Sequence, residues 1–126
     1  MAISILHVGV PLDHPVVPVE DRENLRKRLD ELQARMRAAG YDYEILCVSP
    51  DGGEFGVAEF KQRLRTRPCD GVLLGGGVVG NPEMSYFMEQ IVNATHEAAP
   101  RAKIMFHSHA VDVLTTVERW FPQASV

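Results

Sequence analysis

The sequence predicts a three-layer α/β fold on a four-stranded parallel sheet, and three observations carry that expectation. Four short apolar runs alternate with four stretches of helical periodicity. The runs are close to continuously hydrophobic, the pattern of strands covered on both faces. Glycine, proline or a capping side chain marks the ends of the helical stretches. With 126 residues and 45% hydrophobic content, a single domain over 1–126 with a sizeable core is expected.

The first strand is "ISILHVGV" (3–10), followed by the proline-rich loop "VPLDHPVVPVED". The first helix places Leu25, Leu29, Leu32, Met36 and Ala39 on one apolar stripe, and Gly40 terminates it. Glu20, Asp21 and Glu23 near its start and Arg35 and Arg37 near its end complement the helix dipole. The second strand, "YEILCV" (43–48), leads to a helix over about 54–66 carrying Val57, Phe60 and Leu64, with Asp51 or Gly53 as cap. The third strand, "DGVLLG" (70–75), runs into a glycine cluster. The next helix has Asn81 as cap and Pro82 at its first position, buries Met84, Phe87, Met88, Ile91, Val92 and Thr95, and stops at Pro100. The fourth strand is "KIMFHS" (103–108), and a last helix over about 110–121 offers Val111, Leu114, Val117 and Phe121. Right-handed crossovers then give the strand order 2-1-3-4. The chain reverses direction between the first and third strands, and ligands of open α/β sheets bind outside the carboxyl ends of strands at such a point.

A net charge of -4 and a pI near 5.7 disfavour nucleic acid and anionic membrane as partners, because both reward a basic face. The start "MAISILHVGV" lacks a basic segment ahead of a long apolar run, and no stretch reaches the roughly 20 apolar residues of a membrane span. A cytoplasmic location is expected. Cys47 and Cys69 are too few for a disulfide framework and fall at opposite ends of the sheet, so reduced thiols are expected. Cys47 reads as a small buried hydrophobe.

The stretch "GVLLGGGVVGNPEM" (71–84) holds the main functional signal. Gly75, Gly77 and Gly80 satisfy G-x-G-x-x-G, yet this is the third βα turn where the dinucleotide fingerprint belongs in the first. The acidic residue wanted at the end of the next strand is also missing. A dinucleotide cofactor is therefore disfavoured, and no Lys-Ser/Thr pair completes a Walker loop. What remains is an anion site, where bare backbone at Gly75, Gly76, Gly77 and Gly80 and the helix start at Asn81 approach a bound group closely. The competing reading gives the glycines a tight turn with positive φ. Asn81 either caps the helix or reaches the ligand.

His107 and His109 flank Ser108 after the fourth strand, and Asp13 and His14 lie in the first loop. A divalent metal is disfavoured, since no CxxC or HExxH context surrounds the histidines. General acid–base chemistry suits them better, with Asp13 or Asp51 to orient an imidazole. Ser108 reads as a helix N-cap that also faces the ligand, and Asp112 as favouring the start of the last helix. His7 reads as a core histidine with one satisfied hydrogen bond. The expectation is a small anionic metabolite held by the glycines, Asn81 and Ser108, with proton transfer by His107, His109 or His14. No cofactor is required by these motifs. The alternative is a non-catalytic interaction module, as a homodimer, for which Tyr86, Trp120 and Phe121 are the candidate contacts.

The run "CDGVLLGGGVVGNPEM" followed by "AKIMFHSHAVD" resembles the third and fourth strands of response-regulator receiver domains, which are flavodoxin-like (Rossmann-like) folds. Ser108 matches the receiver's hydroxyl position. Gly75 stands where a receiver has its phospho-accepting aspartate, Gly9 and Val10 where it has an acidic pair, and no fifth strand with its lysine follows Phe121, so the resemblance implies the fold without phosphorelay chemistry. The chain is also similar to small single-domain bacterial α/β proteins of uncharacterised activity that share a glycine triplet and the helix end "IVNATHEAAP" (Ile91 to Pro100).

Overall fold

The first strand of the chain sits in the interior of its sheet because its apolar side chains serve both faces. The computed structural model describes residues 2–108 and 110–123. Strand β1 (Ser4–Gly9) leads to helix α1 (Arg22–Ala38), β2 (Asp42–Cys47), α2 (Val57–Thr66), β3 (Gly71–Leu74), a single helical turn α3 (Gly76–Val79), α4 (Ser85–Ala98), β4 (Lys103–Phe106) and α5 (Val113–Trp120). The four strands are parallel in the order β2-β1-β3-β4, as chirality and hydrophobicity require, and the fold is flavodoxin-like α/β. Ile5 pairs with Tyr43 on one side and Gly71 on the other, and Gly71 pairs with Lys103.

This register assigns the faces. Leu6, Val8, Val72 and Leu74 point to one side, where Phe60 and Leu64 of α2 and Phe87 and Ile91 of α4 bury on them. Ile5, Tyr43, Leu73 and Met105 point to the other, against Met36 of α1 and Val113 and Val117 of α5. The layers differ in closure. Helices α2 and α4 pack on each other, whereas α1 rests on β2 and α5 on β4.

Several element ends fall elsewhere than the sequence suggests. Gly56, not Asp51 or Gly53, precedes α2, and its N–H donates to the Glu59 carboxylate at 2.8 Å. Gly52 and Gly53 take positive φ in the preceding turn, which Ser49 N–H closes by donating to Phe55 O at 2.8 Å. Asn81 does cap as expected, its Oδ1 accepting from Glu83 N–H at 3.0 Å, but it caps a 3₁₀ turn at Pro82–Met84 from which α4 continues. The last helix starts at Val113, not near residue 110. Asp112 is its cap, with Oδ1 accepting from Thr115 N–H at 2.8 Å. Ser108 instead closes a tight turn, its Oγ accepting from Ala110 N–H at 3.2 Å. Asp112 wins the cap because an ionised acceptor bonds a helix N–H more strongly than a hydroxyl does. Among the described residues, no helix is long and apolar enough to cross a membrane.

Candidate functional site

The unequal layers create a cleft. Strands lie about 4.8 Å apart, so helices seated over β2 and β4 stand about 14 Å apart, beyond the 8–10 Å at which helices pack. Helix α1 is also long, about 26 Å for its 17 residues, while β3, with 4 residues, runs about 13 Å. Much of its inner face therefore meets no strand of that half of the sheet. The result is a cleft of about 950 Å³ between α1, the loop after β1, the glycine turn and the start of α5.

Its floor is laid by the alternation of β1. Along the face that bears Ile5, the next positions are His7 and Gly9, so the surface passes from apolar to polar to bare toward the carboxyl edge. His7 is 4% exposed. Its Nδ1 is hydrogen-bonded to the buried Tyr43 hydroxyl, and the two rings meet edge to face at 5.7 Å. Burial, with a smaller effect from His107, pushes the His7 pKa down to about 4, and burial raises that of Tyr43. The imidazole is neutral and the phenol keeps its proton. As the buried Tyr43 hydroxyl has His7 as its partner among the described residues, we assign its O–H as donor to Nδ1 and the ring hydrogen to Nε2. Nε2 has no hydrogen-bond partner among the described residues, and His7 lines the cleft.

The glycine turn faces this imidazole. Gly75 adopts φ -69 and ψ 162, Gly80 φ -84, and positive φ is confined to Gly40, Gly52 and Gly53. The tight-turn reading of the cluster is therefore corrected: what Gly75 needs is room. A Cβ there would lie 2.8 Å from His7 Nε2 and 3.2 Å from Val8 O. Gly75 N–H donates to Val8 O at 2.9 Å, extending the β1–β3 ladder by one rung, and Gly75 O then accepts from both Val78 and Val79 N–H at 3.0 Å. This winds the next residues into α3, an element the sequence reading did not anticipate. The N–H groups of Gly76 and Gly77 precede any helical acceptor and take no partner among the described residues.

The walls combine charge and apolar surface. Helix α1 contributes Leu25, Leu29 and Leu32, all half-buried, with Arg28 and Arg35 beside them. Only Met36 of this helix is fully buried, so much of the stripe read as core is cleft wall. Arg35 reaches Asp112 at 3.6 Å, tying α1 to the start of α5. Arg28 has no ion-pair or hydrogen-bond partner among the described residues. Asp21 and Glu31 are exposed and also line the cleft. The capping bonds from Thr115, with smaller help from Arg35 and His107, hold the Asp112 carboxyl below its usual range.

Of the residues proposed from sequence, Gly75, Gly76, Gly77, Gly80, Asn81 and His107 all line this one cleft. His107 N–H donates to Leu74 O at 3.0 Å, which sets the residue at the end of the β3–β4 ladder. Ser108 is exposed outside the cleft lining, and His109 lies outside the described residues. Asp13 and His14 also lie apart. His14 Nδ1 accepts from Val16 N–H at 3.1 Å and Nε2 meets the Asp51 carboxylate at 3.0 Å. Both ring nitrogens are thus engaged in joining the loop after β1 to the loop after β2, while the Asp13 carbonyl accepts from Arg22 at 3.2 Å. Cys47 is exposed at the end of β2, not buried as read from sequence. Partial desolvation of its sulfur and the nearby Asp13 push its thiol up, away from thiolate chemistry.

Among the described residues, no three of His, Cys, Asp and Glu gather as a metal-binding group. Sequence reasoning missed His7, Arg28 and Arg35 as cleft residues. The available signal was the period-2 position of His7, two residues before Gly9 at the carboxyl edge. Comparisons with family models, with curated proteins and with solved structures find no match, so the site rests on this chain's own geometry.

Proposed function

We propose that the chain binds a small anionic metabolite in the cleft between α1 and the glycine turn. One observation supports this reading: among the described residues, backbone and imidazole N–H donors and one uncommitted cation, Arg28, line a single cleft, although Asp21, Glu31 and the Arg35–Asp112 pair line it too. The N–H groups of Gly76 and Gly77 and the His7 Nε2–H lack acceptors, and Arg28 lacks a counter-ion, among the described residues. An anion that replaces solvent at such donors gains about 1 kcal/mol net per hydrogen bond. His107 borders the same cleft and is the side chain suited to moving a proton on a bound ligand, which would make the protein a small enzyme. The free thiols Cys47 and Cys69 agree with a reducing, cytoplasmic setting.

An amide-resolved NMR titration with acetate and with inorganic phosphate tests the binding reading. Saturable shifts confined to 75–80, His7 and the neighbouring α1 residues are expected. Uniform small shifts across the chain, proportional to ionic strength, would refute it.

A second reading is favoured by a separate observation. Phe106 on the edge strand β4 is 45% exposed, and Trp120 of α5 is 50% exposed under Lys103 at the other end of that strand, whose Nζ stands 5.8 Å from the ring. An open strand edge flanked by aromatic surface suits a non-catalytic, receiver-like interaction module that forms a homodimer. Sedimentation equilibrium of the wild type and of Phe106→Lys decides it. Dimerisation lost in the variant supports this reading, and a wild-type monomer at high concentration removes it.

A further inference from the structure

Resting on the anion-binding reading, we infer that the ligand is a monocarboxylate carrying an elongated apolar chain. The carboxylate is received at the floor by His7 and the glycine amides, and the chain lies along α1. The inner face of α1 supports the chain. Within α1 the lining positions recur with helical period from Asn24 to Arg35, and 11 rises of 1.5 Å make a wall about 17 Å long. Leu25, Leu29 and Leu32 run along it, each half-buried, facing Val16 and Val113. A compact, fully hydrated anion would leave these leucines against water. An apolar chain would cover them, at about 25 cal/mol per Å² removed from solvent.

The charge pattern selects a single negative charge. Arg28 and Arg35 line the cleft, but so do Asp21, Glu31 and Asp112, and Asp112 already engages Arg35. A dianionic phosphate would face three carboxylates with one uncommitted cation. A carboxylate needs less. Two backbone N–H groups and a neutral imidazole N–H can serve its two oxygens, and His7, 96% buried and held through Nδ1 by Tyr43, lines the floor with an Nε2 that has no hydrogen-bond partner among the described residues. Burial keeps that imidazole neutral, so it donates one hydrogen bond without adding charge to the core.

The test is an amide NMR titration of the full chain with sodium decanoate, acetate and inorganic phosphate in parallel. Decanoate is expected to bind at least tenfold more tightly than acetate, with saturable shifts in both 75–80 and residues 24–35. Leu29→Asn, which keeps the charge of the cleft and removes apolar wall, should weaken decanoate several-fold more than acetate. The double change His7→Phe with Tyr43→Phe removes both buried partners together and should weaken acetate and decanoate alike by about tenfold. If decanoate binds no better than acetate, or phosphate binds more tightly than either, the chain-bearing monocarboxylate is wrong while anion binding stands. If decanoate shifts only the Phe106–Trp120 surface and leaves 24–35 silent, the assignment to this cleft is wrong. If none of the three anions moves the glycine turn, both the inference and the reading beneath it fall.

Discussion

Gly75→Ala separates steric need from backbone freedom at the heart of the site. Its φ of -69 and ψ of 162 suit any residue, so the substitution introduces no backbone strain. The added methyl would sit 2.8 Å from His7 Nε2 and 3.2 Å from Val8 O. His7 cannot swing aside freely, because it is 4% exposed and bonded to Tyr43. Val8 O belongs to the neighbouring strand and accepts the ladder bond from Gly75 itself. Overpacking of this kind costs about 1–3 kcal/mol, and displacement of the imidazole from Tyr43 adds about 1 kcal/mol, for roughly 2–4 kcal/mol in all.

Urea denaturation reads this directly. With a slope of about 1–3 kcal/mol per molar, the midpoint should fall by at least about 0.7 M. Gly77→Ala is the control: nothing lies within 4 Å of its Cβ, and the residue is helical, so stability should hold or rise by about 0.5–1 kcal/mol. Combining Gly75→Ala with His7→Ala should cost less than the sum of the two, since the second change removes the atom the first one strikes. Equal effects of Gly75→Ala and Gly77→Ala, or strict additivity with His7→Ala, would refute the contact argument.

Three further outcomes follow from the same structure. His7 has a folded pKa of about 4 against 6.5 unfolded, so the unfolded chain binds the extra proton between these values. Its contribution is complete above pH 6.5 and is lost as pH falls to 4, a loss of about 3 kcal/mol that urea midpoints across this window should show and that the His7→Phe/Tyr43→Phe chain should lack. Asp112→Ala removes the α5 cap and should cost about 1 kcal/mol by the same assay, whereas Asp112→Asn, which keeps an acceptor for Thr115 N–H, should recover most of it. Gly71→Ala would bring a methyl to 2.7 Å from Met105 Cε, 2.8 Å from Phe121 Cε2 and 3.1 Å from Ile5 Cδ1. A thermal midpoint lowered by several degrees, for about 1–3 kcal/mol of overpacking, is the result to look for.

The sheet was legible because its determinants are local or general. Apolar runs mark the strands, and the handedness of crossovers leaves few orders for them. The site was legible only in part. Its glycines and His107 could be placed at the carboxyl edge from chain order alone. Hidden from the sequence was why Gly75 is glycine, since the reason is a contact with His7, 68 positions away in the chain and adjacent only after β1 and β3 pair. Ser108 and Asp112 are both capping residue types four positions apart, and the sequence offered both; the stronger, ionised acceptor took the cap and the hydroxyl closed the turn before it.

The misread stripe of α1 has the most general cause. Periodicity reports which face of a helix is apolar and carries no information about what covers it. On the far layer, Phe60, Leu64 and Ile91 are fully buried because α2 and α4 meet over the sheet. On the near layer the same kind of stripe yields one buried residue, Met36, since α1 and α5 sit over opposite edges of the sheet. Each leucine kept half-exposed forfeits a part of the roughly 1.5–3 kcal/mol that full burial would contribute, and total stability is about 5–15 kcal/mol. Three such leucines are a sizeable sacrifice for a domain of this length. Moving α1 one strand spacing inward would recover it. A sequence that instead holds α1 over β2, with only the exposed Arg35–Asp112 pair at 3.6 Å reaching α5, leaves this apolar face open along the cleft.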